Sequence, residues 1–194
     1  MKRMKSGTRA IALCLAVLLV AALTACGGGQ AGGGVGGDTG KDTLSGSLAD
    51  ILTTVTQDAN KNLDSNSQMP MLMDVEVTAD NVQWMLGLST QDKDTYVTET
   101  LVKMAAISAI AFQIGLVKCK DAASATKVAD LMAKGIDPNQ WICVSPGRAF
   151  VQTSGSYVLF FMGTNAQADA VSAAFKAAAG GNASEPNVFF QFKG

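Results

Sequence analysis

The chain has 194 residues, 48% of them hydrophobic, with 15 basic and 16 acidic side chains and no histidine. Without an imidazole, Ser-His-Asp and Cys-His catalysis and histidine-bound zinc are excluded. A slight acidic excess argues against nucleic acid as a partner, because phosphates demand a basic surface.

The first ten residues carry Lys2, Arg3, Lys5 and Arg9 and no acid, and an unbroken apolar run from Ile11 to Leu23 follows. A run of about 13 residues is too short to cross a bilayer as a helix, which takes about 20. It matches the charged and apolar regions of a secretory signal. The run ends in Leu23-Thr24-Ala25-Cys26-Gly27, which resembles the bacterial lipobox. That resemblance implies removal of residues 1–25 and thioether lipidation of Cys26, which becomes the first residue of the mature chain. Two acyl chains bury roughly thirty methylenes at ~0.8 kcal/mol each, so such an anchor is effectively permanent. Four of the fifteen basic residues lie in 1–25, so the mature chain carries 11 basic against 16 acidic groups, a net charge of −5.

Residues 26–43 are dominated by glycine, a composition that cannot bury apolar surface and behaves as flexible coil. Its r.m.s. reach is on the order of 20–25 Å, enough to lift a domain off the headgroups. No strand precedes the glycines and no Lys-Ser/Thr follows them, so they do not form a phosphate-binding loop. Residues 44–194 remain as one domain, long enough for a hydrophobic core.

Within it, Ser47 with Asp50 reads as a helix start, and Leu48, Ile51, Leu52, Val55 and Ala59 recur at helical spacing, predicting a helix over 47–62. Residues 68–77 alternate Met71, Met73, Val75 and Val77 with Leu72, Asp74 and Glu76, an edge strand or extended segment. Thr78 is expected to cap a short helix with Val82, Met85 and Leu86 inward and Trp84 beside them. Asp92-Lys93-Asp94 reads as a loop. Strands are expected over 97–106 and 109–119, then a helix capped by Asp121 and stopped by Gly135. Ala149–Thr153 and Tyr157–Gly163 flank Ser154-Gly155-Ser156 as a hairpin. Thr164 with Gln167 is a capping box for a helix to about 178, ended by Gly180-Gly181. A last strand over 188–192 is expected to place Val188, Phe190 and Phe192 on one side.

From 109 onward the order is β-α-β-β-α-β, the ferredoxin-like pattern. The predicted class is α+β: an antiparallel sheet with these two helices on one face and the N-terminal helices added to it.

Of four cysteines, Cys14 belongs to the signal and Cys26 to the lipobox, leaving Cys119 and Cys143. In an exported chain the pair permits a disulfide, closing a loop of about 25 residues for roughly 3.5 kcal/mol. Two buried thiols packing as small apolar groups explain the same pair.

The lipobox and Gly-rich spacer, Met69-Pro70-Met71, Leu86-Gly87-Leu88, FQIGLVKCKD and GRAFVQTSGSYVLFFMG together resemble a family of small uncharacterised lipoproteins of clostridial-type Gram-positive bacteria, a domain of unknown function. The resemblance implies a location and a fold class and carries no activity.

Four groups of residues invite a site. Met69, Met71 and Met73 are soft thioethers of the kind that collect Cu(I), although alternating methionines also fill core gaps. Asp74, Glu76 and Asp80 offer hard oxygen ligands for Ca²⁺ or an acid–base pair, although a solvated strand face gives the same pattern. Arg148 stands where a turn feeds a strand, placed to clamp an anion or simply to solvate the strand end. Trp84 and Trp141 serve as platforms facing a carbohydrate or a partner, or as core. The chain thus reads as a membrane-anchored, extracytoplasmic lipoprotein that binds an envelope protein or small ligand, with no cofactor and no nucleic acid. A His-free carboxylate hydrolase or transferase and a metal handler are the alternatives.

Overall fold

Six strands form one antiparallel sheet between two layers of helix, in a computed structural model that describes residues 41–107 and 109–193. The signal, Cys26 and nearly all of the glycine tract lie outside the described residues. The α+β class and the β-α-β-β-α-β succession are those expected from the sequence. No described helix is long and apolar enough to cross a membrane.

Helix α1 (Leu48–Lys61) starts at a complete capping box: Asp50 N donates to Ser47 Oγ at 3.1 Å and Ser47 N donates to Asp50 Oδ2 at 3.2 Å. Hydrogen bonds from Ser47, side chain first and then backbone, hold the Asp50 carboxyl below its ordinary range. All five apolar positions of the stripe are buried. Strand β1 (Leu72–Val75) is a sheet edge, paired only with β2 (Val97–Ala105).

The helix α2 (Val82–Leu86) begins one turn later than Thr78 suggested. Asn81 is its first flanking residue: its Oδ1 accepts from Thr78 N and its Nδ2 donates to the Glu76 carbonyl, both at 2.8 Å. Val82, Met85 and Leu86 are buried as expected. The Asp92-Lys93-Asp94 loop is in fact a helix, α3 (Thr90–Tyr96), capped by Ser89. It buries no residue, so it carries no apolar periodicity from which to be read.

Strand β3 (Gln113–Cys119) starts four residues after the expected 109, because Ile110 N bonds back to the Ile107 carbonyl at 3.2 Å and turns the chain before it. Helix α4 (Ala122–Gly135) is capped by Asp121, whose carboxylate accepts from Ser124 N at 2.7 Å. That bond is the largest cause of the lowered Asp121 pKa. Strands β4 (Arg148–Ser154) and β5 (Tyr157–Gly163) form the hairpin. Helix α5 (Asn165–Ala178) has its capping box and ends before Gly180 and Gly181, both at positive φ. In β6 (Asn187–Gln191) the register slips between Ala149 and Phe150, and Phe189 and Phe190 both pack toward one core layer. The expected single-sided run of Val188, Phe190 and Phe192 is broken by this bulge.

The sheet order is β1-β2-β3-β5-β4-β6, which changes one expectation. The connections β3-α4-β4 and β5-α5-β6 each step two strands in the same direction along the sheet. They start from antiparallel strands, so crossovers of one hand put their helices on opposite faces. The core confirms it: Tyr157, Leu159 and Phe161 of β5 pack with α1 and α5, whereas Val158, Phe160 and Met162 pack with α2 and α4. The two helices are therefore not on one face, and α1 is the partner of α5.

The chain enters the domain at the hairpin tip. Asp42 accepts from Ser156 N at 2.6 Å and from Ser156 Oγ at 2.9 Å, and Thr43 Oγ1 donates to the Ala179 carbonyl at 2.8 Å. Asp42 and Thr43, assigned to the spacer from sequence, thus belong to the folded domain.

Candidate functional site

At the opposite end of the sheet lies an open groove of about 680 Å³, within the size range of small-ligand sites. The register builds its floor. Met73 of β1 pairs with Met104 of β2, which pairs with Gln113 of β3. Paired residues share a face, so the floor belongs to the α2/α4 side. One wall is α2, bringing Trp84 and Met85; the other is the irregular segment 140–143, bringing Gln140, Trp141, Ile142 and Cys143. The end of β2 and the turn after it complete the lining with Ala105, Ala106 and Ala109. Lys118 and Tyr157, at the hairpin end, lie five residues of β3 from Gln113, or about 17 Å.

No lining residue is charged. Large apolar side chains are left in solvent at the rim: Met73 is 52% exposed, Trp84 45% and Ile142 fully. Ile107 and Ile110, flanking the lining alanines, are exposed too. Single exposed apolar residues are common on any surface; a contiguous set around a concavity marks a contact surface.

Trp84 and Trp141, 57 residues apart in sequence, are brought to this one groove. Of the methionine trio only Met73 reaches it: Met69 packs against the α1/α5 core, and Met71 is 81% exposed. Core packing therefore accounts for Met69 alone. The groove adds Met85, Met104 and Cys143, which alternation along 69–73 does not signal. The strand pairing of Met73 with Met104 is what reveals them.

The carboxylates are not gathered. Asp74 is ion-paired with Lys103 across the β1–β2 pair, and Glu76 and Asp80 are exposed. Among the described residues no three Cys, Asp or Glu side chains converge on a metal position. Arg148 is engaged within the protein, ion-paired with Asp169 and donating from Nε to Gln191 Oε1 at 3.0 Å. It lines a smaller cleft of about 250 Å³ in which Lys176 and Glu185 are likewise paired with each other, at 2.6 Å.

Cys119 and Cys143 are free thiols at opposite ends of the sheet, so the bridge permitted by the even count is not formed. Cys119 ends β3, and burial, helped by the charge of Asp121, pushes its thiol up to about 12. A thiol reagent followed by peptide mapping is expected to modify exposed Cys143 in the native protein and Cys119 only after unfolding. The folded state keeps the Cys119 proton while the unfolded chain loses it near the ordinary value of 9.0. Its contribution to stability is complete below pH 9 and falls as pH rises toward 12. Denaturant titrations should show that alkaline slope, and Cys119→Ala should flatten it.

No protein-family model matches the chain, and neither a curated protein nor a solved structure matches it.

Proposed function

We propose that this protein is a lipid-anchored binding module on the outer side of the membrane, holding an apolar ligand in the groove between β1, α2 and residues 140–143. The groove carries the reading: an uncharged concavity of ligand size, walled by two tryptophans, with apolar side chains left in water around it. Anchorage rests on the signal and the Leu23–Gly27 lipobox, and agrees with the lipoprotein family that the sequence resembles. The Asp42 clip supports it further, because the chain enters the domain at the end of the sheet away from the groove. A carboxylate enzyme is not favoured at Asp74 and Glu76, which stand exposed and line neither the groove nor the Arg148 cleft.

The test is fluorescence titration with N-phenyl-1-naphthylamine, a neutral apolar dye. Binding is expected in the wild type and at least tenfold weaker in Trp84→Ala and Trp141→Ala; equal affinity in all three overturns the assignment. Anchorage has its own test. Cys26→Ser is expected to leave the membrane fraction or accumulate as unprocessed precursor, and a processed, membrane-bound variant overturns it.

One observation favours a second reading. Met73, Met85, Met104 and Cys143 place three thioethers and a thiol around one groove beside Trp84, a soft donor set suited to Cu(I). Under reducing conditions Cu(I) should then raise the thermal midpoint of the wild type and not of Met73→Leu/Met104→Leu. An unchanged wild-type midpoint rules this reading out.

A further inference from the structure

We infer that the ligand of the groove is a neutral, largely apolar molecule bearing a hydrogen-bond donor, and that Gln140 receives that donor through its side-chain oxygen. The inference rests on the binding reading above and adds the chemistry of the ligand to it. Neutrality follows from the lining: a charged group seated there would lose its hydration and meet no opposite charge.

The donor follows from a chain of amides whose orientation is forced. Gln113, fully buried at the groove end of β3, donates from Nε2 to the Met85 carbonyl at 3.0 Å. A backbone carbonyl only accepts, so the nitrogen of Gln113 must face it. Its oxygen then needs a donor, and receives Gln140 Nε2 at 2.5 Å. Gln140 is thereby oriented in turn, and its Oε1 is left buried with no partner. A buried orphan acceptor is costly and uncommon in folded proteins. Two other buried side-chain atoms lack partners among the described residues, Gln152 Oε1 and Ser154 Oγ, and neither residue lines a cavity described above. Of the three, only Gln140 lines the apolar groove.

The wall that carries Gln140 is lightly held. Apart from the turn at 138–139, no backbone–backbone hydrogen bond is described within 137–146. The segment is held by the Gln140–Gln113 bond, by partial burial of Trp141 against the α2/α4 core and by the Asx bond from Asn139 N to Asp137 Oδ1. Segments with so few backbone bonds open at low cost. Parting the wall admits a ligand and exposes the orphan oxygen to its donor. A donor-bearing ligand satisfies that oxygen, whereas an aprotic analogue leaves it unpaired, a difference of about tenfold in affinity.

Calorimetric titration of the full chain with three naphthalenes tests this. The expected order is 2-naphthol about tenfold tighter than 2-methoxynaphthalene, with no binding of anionic 2-naphthoate. In the double variant Gln113→Met/Gln140→Met, which leaves neither amide oxygen at the groove wall, the ratio of the two neutral ligands should fall to about one, and binding of 2-methoxynaphthalene shows the variant folded. Equal wild-type affinities for the two neutral ligands, or an unchanged ratio in the variant, overturn the role of Gln140 and leave the groove reading standing. Binding of 2-naphthoate as tight as that of 2-naphthol overturns neutrality. Failure of all three ligands to bind overturns the inference and the groove reading together.

Discussion

Gly135→Ala is expected to destabilise the domain by more than about 3 kcal/mol. A Cβ on Gly135 would stand 2.1 Å from the Gly87 carbonyl oxygen and 2.8 Å from its carbon. The obstacle is backbone, which cannot turn aside as a side chain does. The contact is mutual: a Cβ on Gly87 would stand 2.4 Å from Ile136 N, and Gly87 holds φ +66°. The last turn of α4 and the left-handed end of α2 therefore touch main chain to main chain, with Leu86 and Leu88 fully buried on either side. Alanine in place of a helical glycine gains up to about 1 kcal/mol of propensity, too little to offset a clash that must push α2 off α4. Because α2 carries Trp84 and Met85, the substitution should also weaken dye binding in the molecules that remain folded. Gly181→Ala is the control: nothing lies within 4 Å of its Cβ, and only its φ of +86° resists, so it should cost about 1–2 kcal/mol. Denaturant titrations of the two variants measure the difference. A Gly135→Ala variant as stable as the wild type contradicts the packing described here.

Phe161→Ala is expected to cost about 3–5 kcal/mol and to leave the groove intact. Phe161 is fully buried, edge-on to Phe112 at 5.4 Å with planes at 87°, and tilted on Phe150 at 5.6 Å. Removing its ring opens a cavity beneath α1 and α5, where β5 and its neighbours cannot close in without losing their register. The site lies on the other face of the sheet, so the affinity of the folded variant for the dye should equal that of the wild type. The two substitutions thus separate stability from function: Gly135→Ala impairs both, Phe161→Ala only the first. Loss of affinity in folded Phe161→Ala protein contradicts the assignment of the two faces.

The elements most legible in the sequence are those with caps and stripes. Ser47 with Asp50, Asp121 and Thr164 with Gln167 each mark a helix because a side chain replaces the amide partners that a helix start lacks. The Ser154-Gly155-Ser156 turn is legible for a similar local reason, since Gly155 sits at positive φ. Helix α3 is not, because all seven residues face water at least in part and leave no period to detect. Gly135 reads as a helix stop, yet it lies within α4; Ile136 turns extended ahead of Asp137-Pro138. The glycine serves a tertiary contact that no local signal encodes.

The placement of the helices on two faces depends on which strand β6 joins, a long-range choice that composition does not record. The candidate site was half legible for the same reason. Trp84, Trp141 and Met73 stand out as residue types, and Cys143 as one of the two cysteines left after the signal and lipobox. What unites them is the β1–β2 register and an irregular wall at 140–143. The Gln113–Gln140 pair, which orients that wall, joins two polar residues 27 positions apart and has no sequence signature at all.

On the proposed reading, the groove between β1, α2 and residues 140–143 is where this protein binds. Two-dimensional NMR with 2-naphthol added to the protein tests it most directly, since both tryptophan indole N–H groups, from Trp84 and Trp141, report from its walls. Both indole signals, with the amides of Met73, Met104 and Gln140–Cys143, are predicted to shift in a saturable manner, while the cleft at Arg148 and Lys176 stays unchanged. Unmoved indole signals, or shifts confined to the Arg148 cleft, would contradict the account.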